Sequence, residues 1–160
     1  MKNILKQLFS FIIPISVLVI IPLAIENQMK ISFNLLLILG IPLVITGLIL
    51  MISTISMFIR IGKGTLAPWS PTSKLVCSGI YAYTRNPMIT GVLMVLLGET
   101  IIFSSIAILV WSILFFIINN IYFSLYEERG LVKRFGQEYI EYKKNVPRWI
   151  PRLKPWKRES

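Results

Sequence analysis

The chain has 160 residues, 55% of them hydrophobic and only 15% charged, with a mean hydropathy of +0.72; this argues against a soluble domain, in which about a quarter of residues carry charge. It contains no His and no Asp, which leaves no residues for a His-based triad and few for a transition-metal centre, and its one cysteine, Cys77, cannot form an internal disulfide. The net charge of +10 raises the question of nucleic acid, but ten of the seventeen Lys and Arg fall between Arg129 and Arg158, after the last apolar stretch, where membrane orientation and lipid headgroups account for them, and no nucleic-acid motif is present.

Four apolar stretches follow in chain order. Leu5 to Ile25 and Phe33 to Ile59 are each long enough to cross a bilayer, which takes about 20 helical residues at 1.5 Å each. Lys2 and Lys6 give the first the look of a signal peptide, yet its apolar core is too long and Ala24-Ile25-Glu26 is a poor cleavage site, so it reads as a retained anchor. Pro14, Pro22 and Pro42 lie inside these spans, where neighbouring helices can absorb a kink.

The connection 60–87 carries Gly62, Gly64, Pro68, Pro71, Gly79 and Pro87, but also Leu66, Trp69, Leu75, Val76, Ile80, Tyr81 and Tyr83. It is too apolar for disorder, and predicts a loop folded against the membrane face. From Met88 to Leu125 the chain is apolar for almost forty residues, interrupted only by Gly98-Glu99 and Ser104-Ser105. One helix of that length would overshoot the hydrocarbon core about twofold. The pattern predicts a hairpin of helices near 88–102 and 106–126, with its bend around Glu99 to Ser105. The expected fold is therefore all-α: a single polytopic membrane domain with spans near 5–25, 33–59, 88–102 and 106–126, whose polar segments 60–87 and 127–160 form the site.

After the last span, Leu131, Phe135, Tyr139, Tyr142 and Val146 recur at intervals of four, four, three and four, one stripe of an amphipathic helix. Glu127 stands one turn before Leu131 and Glu128 flanks the stripe on its other side. Two adjacent carboxylates there fit either a helix start, whose dipole favours acids, or a binding site. Beyond them Pro147, Pro151 and Pro155 preclude helix, while Trp149 and Trp156 among basic residues suit an interfacial tail, in which Arg148 could meet an anionic ligand group.

SGIYAYTRNPMITG, the hydrophobic hairpin and YEERGLVKRFGQEYIEYKKNVPRWIP together resemble the membrane methyltransferases of the isoprenylcysteine carboxyl methyltransferase and phospholipid methyltransferase group. The resemblance rests on Arg85-Asn86-Pro87, Glu127-Glu128 followed by Leu131, the run Phe135-Gly136, Tyr139 and Tyr142, and the Val-Pro-Arg ending; it covers about residues 63 to 156. Where the family has Tyr two places after the Pro, this chain has Ile89, followed by Thr90.

The resemblance implies S-adenosylmethionine as cofactor and a lipophilic acceptor, such as a prenylcysteine carboxylate or a lipid headgroup. The cofactor's methyl is already activated, so the protein need only hold donor and acceptor in line. An ammonium and a carboxylate at the cofactor's methionine end call for a Glu and an Arg. On this reading Tyr81, Tyr83, Arg85, Asn86, Pro87, Gly91, Glu127 and Glu128 bind the cofactor, and Arg148 and Glu128 act at the transfer itself. A NADPH-dependent membrane reductase with a similar helical core and a non-catalytic lipid-binding protein are the alternatives, separated from the first reading by which cofactor is retained.

The basic residues alternate between connections: Lys2 and Lys6 precede the first span, Arg60, Lys63, Lys74 and Arg85 occupy the 60–87 loop, and ten follow the last span, whereas 99–105 has none. Both termini and the 60–87 loop are therefore expected on the cytoplasmic side. In a Cys77→Ser background, cysteines at Ser73 or Ser160 should be blocked only by membrane-permeant reagents, and one at Ser104 should react with an impermeant reagent from outside. Labelling of Ser73 from outside would overturn this topology.

Overall fold

The computed structural model describes residues 12–26, 30–31, 35–61 and 73–157. The beginning of the expected first span, the centre of the 60–87 loop and the last three residues lie outside them. Among the described residues there is no strand, and four apolar helices are present. Helix α1 spans Ile12–Ile25, α2 Leu37–Arg60, α3 Pro87–Phe103 and α4 Ile106–Phe135; α2 and α4 are long and apolar enough to cross a membrane, while α1 and α3 are shorter. A fifth helix, α5, spans Gln137–Asn145.

The irregular points of these helices have local causes. In α1 a π-helical turn at Ser16–Ile20 stands directly before Pro22, whose missing N–H and ring do not fit the regular hydrogen-bond ladder. The Val17 carbonyl accepts instead from the Trp111 indole N–H of α4 at 3.1 Å. Two buried hydroxyls of the apolar helices bond to their own backbone: Thr54 donates to the Met51 carbonyl at 2.8 Å and Ser112 to the Ile108 carbonyl at 2.8 Å.

The hairpin has the expected form. Helix α3 stops at Phe103, Ser104 adopts the left-handed region at φ 50°, and Ser105 caps α4 by accepting from the Ile108 N–H at 3.3 Å. Ser105 also donates to the Glu26 carboxylate, tying this turn to the end of α1.

The end of the last span differs from expectation. The helix does not stop near residue 126: it passes through a π-helical turn, Phe123–Glu127, and runs on to Phe135. The amphipathic stripe predicted as one helix is cut at Gly136, which has φ 54° and ψ −129°, a backbone conformation open to glycine and costly for other residues. The chain folds back there, and the stripe closes on itself: Tyr139, Tyr142 and Val146 are buried together, with Leu131, Phe135 and Trp156 packed on them. A second core lies between the long helices, around Met51, Val92, Val95, Leu96 and Phe115.

The most extensive helix packing is α2 against α3, and glycines set its distance. A Cβ added at Gly47 would lie 2.6 Å from the Gly91 carbonyl oxygen, and one at Gly98 would lie 2.8 Å from the Gly40 carbonyl oxygen. These backbones touch, as small residues permit in apolar surroundings. Gly47→Ala should therefore lower stability by about 1–3 kcal/mol, the cost of overpacking a rigid contact. Gly130→Ala, whose nearest neighbour would be an Arg134 side-chain nitrogen at 4.0 Å, should be neutral or stabilise by about 0.4–1 kcal/mol. Thermal unfolding of the two variants in one detergent checks the contrast.

Candidate functional site

The segment 81–86, just before α3, is held from both sides. It follows a 3-10 turn, Gly79–Ala82, and Tyr81, Ala82, Thr84 and Asn86 are buried. The tail beyond α5 runs beside it: the Arg85 N–H donates to the Pro147 carbonyl, the Arg152 N–H to the Tyr83 carbonyl and the Trp156 N–H to the Ala82 carbonyl, each at 2.9 Å. Side chains complete the clamp, with the Thr84 hydroxyl on the Arg148 carbonyl at 2.9 Å and the Tyr142 hydroxyl on the Tyr81 carbonyl at 2.7 Å. Proline at 147, 151 and 155 keeps the tail extended and free to pair in this way. Trp149 packs against Phe116 of α4 with ring centroids 5.1 Å apart.

One carboxylate joins these pieces. Glu128 Oε1 accepts from Arg85 at 2.8 Å and from Arg148 at 2.5 Å, and Oε2 accepts from Lys143 at 2.6 Å. The Glu128 side chain is 9% exposed, and it stands beyond the apolar part of α4. Its burial would raise its pKa, but the hydrogen bonds from Lys143, Arg148 and Arg85 outweigh this and hold the carboxyl at about 2. Both arginines are fixed further. Arg85 donates through Nε to the Val146 carbonyl at 2.9 Å and reaches the Tyr139 hydroxyl at 3.2 Å; Arg148 donates to Asn120 at 3.0 Å and Ser124 at 2.9 Å.

The neighbouring Glu127 points elsewhere, since consecutive helical residues project about 100° apart. It lines a cavity of about 410 Å³ enclosed by the segment before α3, the end of α4 and α5, a size within the range of small-molecule sites. One part of its wall is apolar, with Ile13, Phe58, Met88, Ile89 and Phe123. The other part is polar or aromatic: Arg85, Asn86, Asn119, Arg134 and the tyrosines at 81, 122, 126, 139 and 142. Glu127 is pushed up by burial, against the lowering effect of Arg134, so a cation bound beside it would relieve an unfavourable environment. Burial, with the charges of Tyr142 and Glu127 adding to it, raises Tyr81 far above the ordinary phenol range, so its hydroxyl keeps its proton at neutral pH. Asn86 is 8% exposed and its side-chain Nδ2 has no hydrogen-bond partner among the described residues. A buried amide donor left open in a cavity wall awaits an acceptor.

Of the residues picked out from the sequence, Tyr81, Arg85, Asn86 and Glu127 thus meet in the cavity wall. Glu128 and Arg148 lie together in the ion cluster behind it, Pro87 opens α3, and Tyr83 accepts from the tail through its carbonyl. Gly91 packs against Gly47 and Met51 of α2. Arg134, Asn119, Tyr122 and Tyr126 were not foreseen. Helical spacing carried a signal for three of them: Asn119, Tyr122 and Tyr126 recur at three and four residues, on the side that leads to Glu127.

The described residues form an all-helical protein with two helices long and apolar enough to cross a membrane, and a cavity whose wall carries both acidic and basic residues lies at the end of its long apolar helices. Residues 35–138, more than half of the chain, match the family "Phospholipid methyltransferase", and the chain belongs to that family, the isoprenylcysteine carboxyl methyltransferase and phospholipid methyltransferase group. It is similar to protein-S-isoprenylcysteine O-methyltransferase of Homo sapiens, 38% identical over 91 residues, which are 53% of this chain and 30% of that protein. It is also similar to the enzyme of that name from Schizosaccharomyces pombe, 38% identical over 80 residues (48% of this chain, 33% of that protein), and to protein-S-isoprenylcysteine O-methyltransferase B of Arabidopsis thaliana, 34% identical over 84 residues (49% and 40%). The matched region is thus well under half the length of these relatives. No solved structure gives a significant match.

Glu128→Gln would leave two largely buried guanidinium groups without their carboxylate. It should destabilise the protein by about 3–5 kcal/mol, as breaking a buried pair does. Lys143→Gln removes the most exposed partner, whose side chain is 45% accessible, and should cost under about 1 kcal/mol. Unfolding of both variants in the same detergent distinguishes the tie from its outer branch.

Proposed function

We propose that the chain transfers the methyl group of S-adenosylmethionine to a lipophilic acceptor, and that the cavity beside Glu127 holds the cofactor. The observation that carries this reading is the pairing of Glu127 with the open Nδ2 of Asn86 in one wall. A zwitterionic amino-acid end needs an anion for its ammonium and N–H donors for its carboxylate. Glu127 supplies the first; Asn86, with Arg85 and Arg134 in the same wall, supplies the second. The aromatic lining gives a sulfonium and a purine ring faces to rest on. S-adenosylmethionine brings a methyl already activated toward a nucleophile, so these residues work by position.

The acceptor side is read from charge. Arg85, Arg148 and Lys143 surround a single carboxylate, Glu128, so the cluster keeps an excess of positive charge next to the cavity. That favours an acceptor that arrives as an anion. A carboxylate is ionised at neutral pH and needs no base to attack. Arg148 is assigned to orient it, Arg85 stands between it and the cofactor, and Glu128 acts as a positioning residue for both. The protonated Tyr81 hydroxyl is a further donor. The relatives' name, isoprenylcysteine O-methyltransferase, agrees with a carboxylate on an apolar carrier, and the apolar wall of Ile13, Phe58 and Phe123 suits such a carrier. A cytoplasmic position of the site would follow from the basic loops.

Calorimetric titration of the detergent-solubilised protein tests this. S-adenosylmethionine should bind and NADPH should not; the reverse would favour a reductase, and binding of neither a non-catalytic lipid carrier. Glu127→Gln should weaken S-adenosylmethionine binding by about 1.5–3 kcal/mol, the scale of a hydrogen bond to a charged group, with little loss of stability. Arg148→Lys, a poor replacement where a planar fork is used, should leave that affinity nearly intact and lower turnover of a prenylcysteine analogue. Faster methylation of an aminophospholipid than of the prenylcysteine analogue would reverse the acceptor assignment.

A further inference from the structure

On the side of α4 away from the cavity lies an open groove lined by Ser124, Glu128, Arg129, Val132, Lys133 and Lys143. It carries three cations against one carboxylate, and that carboxylate is already held by Arg85, Arg148 and Lys143. Arg129 and Lys133 stand four residues apart, one above the other on a single helix face, both exposed and without an acidic partner within salt-bridge distance among the described residues. Lys143 reaches the groove from α5 with nearly half of its side chain accessible.

The position of the groove along α4 says what meets it. The apolar part of α4, residues 106–126, is about 31 Å long at 1.5 Å per residue, close to the thickness of a bilayer's hydrocarbon core. Arg129 then lies about 5 Å and Lys133 about 10 Å beyond that core, the depth of lipid headgroups. The helix surface below them, with Ile121 and Leu125, is exposed and apolar, and Val132 and Ile140 flank the groove with exposed apolar surface. Chains below and cations above match the two halves of an anionic phospholipid.

We propose that this groove is a binding site for the phosphate-bearing headgroup of an anionic membrane lipid, distinct from the cavity on the opposite side of residues 127–128. The occupant is a lipid and not a free phosphate, because the exposed apolar surface continues from the cations toward the hydrocarbon depth.

The full-length chain in detergent, titrated with phosphatidylglycerol, phosphatidylcholine or inorganic phosphate and read by native mass spectrometry, tests the proposal. Phosphatidylglycerol should be retained roughly twenty-five-fold better than phosphatidylcholine, and R129Q/K133Q should lose that preference, at about 1 kcal/mol or fivefold per basic residue. K154Q/K157Q removes the same charge from the tail and should keep the preference. Should the double variant fail to fold, R129Q alone must show a roughly fivefold fall. Equal losses in the groove and tail variants, equal retention of the two lipids, or displacement of phosphatidylglycerol by inorganic phosphate would each overturn the proposal.

Discussion

The Glu128 carboxylate is the interaction on which the polar end of this protein depends. Four stretches meet there: the segment before α3 through Arg85, the end of α4 through Glu128 itself, α5 through Lys143 and the tail through Arg148. A single buried ion pair seldom gains enough to offset the desolvation of both partners. Here three cations share one desolvated acid, and the arginines spend their remaining donors on the Val146 carbonyl, Tyr139, Asn120 and Ser124. The result is strong enough to reverse the effect of burial on the carboxyl and keep it ionised. What it contributes is geometry more than net energy: it fixes the register of the tail on the 81–86 segment, and that register places Asn86 and Tyr81 in the cavity wall.

Adjacent acids then divide between two tasks. Glu128 is saturated by cations, and its oxygens have little capacity left for a ligand. Glu127, about 100° around the helix, faces the cavity, where its environment improves on binding a cation. The π-helical turn at Phe123–Glu127 sits where this division is made. Such turns shift the phase of everything that follows, and this one lets a helix that begins in apolar surroundings present one acid to a pocket and the next to an ion cluster.

The parts legible in the sequence were those set by short-range pattern. The hairpin bend at Ser104-Ser105 follows from the length of an apolar run, and the stripe packs together, Leu131 and Phe135 partly buried against the buried Tyr139, Tyr142 and Val146. The stripe does not lie on one helix, because Gly136 takes a positive φ that spacing alone does not reveal. Arg85, Asn86 and Glu127 could be picked out as polar residues beside apolar runs, and they share one wall. Which of two neighbouring acids faced it was not readable, since a π-helical turn resets the count. Nor was the route of the tail: its pairing with residues 82–85 is made by backbone groups, which every sequence possesses.

The cavity's two kinds of wall follow from where these segments come together. Ile13, Phe58, Met88 and Phe123 belong to the four apolar helices, whereas Arg85 and Asn86 come from the segment before α3 and Glu127 and Arg134 from the polar end of α4. A pocket inside the bundle would have to desolvate its charges completely, and one in the tail alone would offer nothing to an apolar chain. Placed at the junction, the polar groups stay within reach of water while the apolar wall remains continuous with the long helices. A polar and an apolar group can thus meet at one spot from opposite phases, and the Glu128 tie holds that spot in shape.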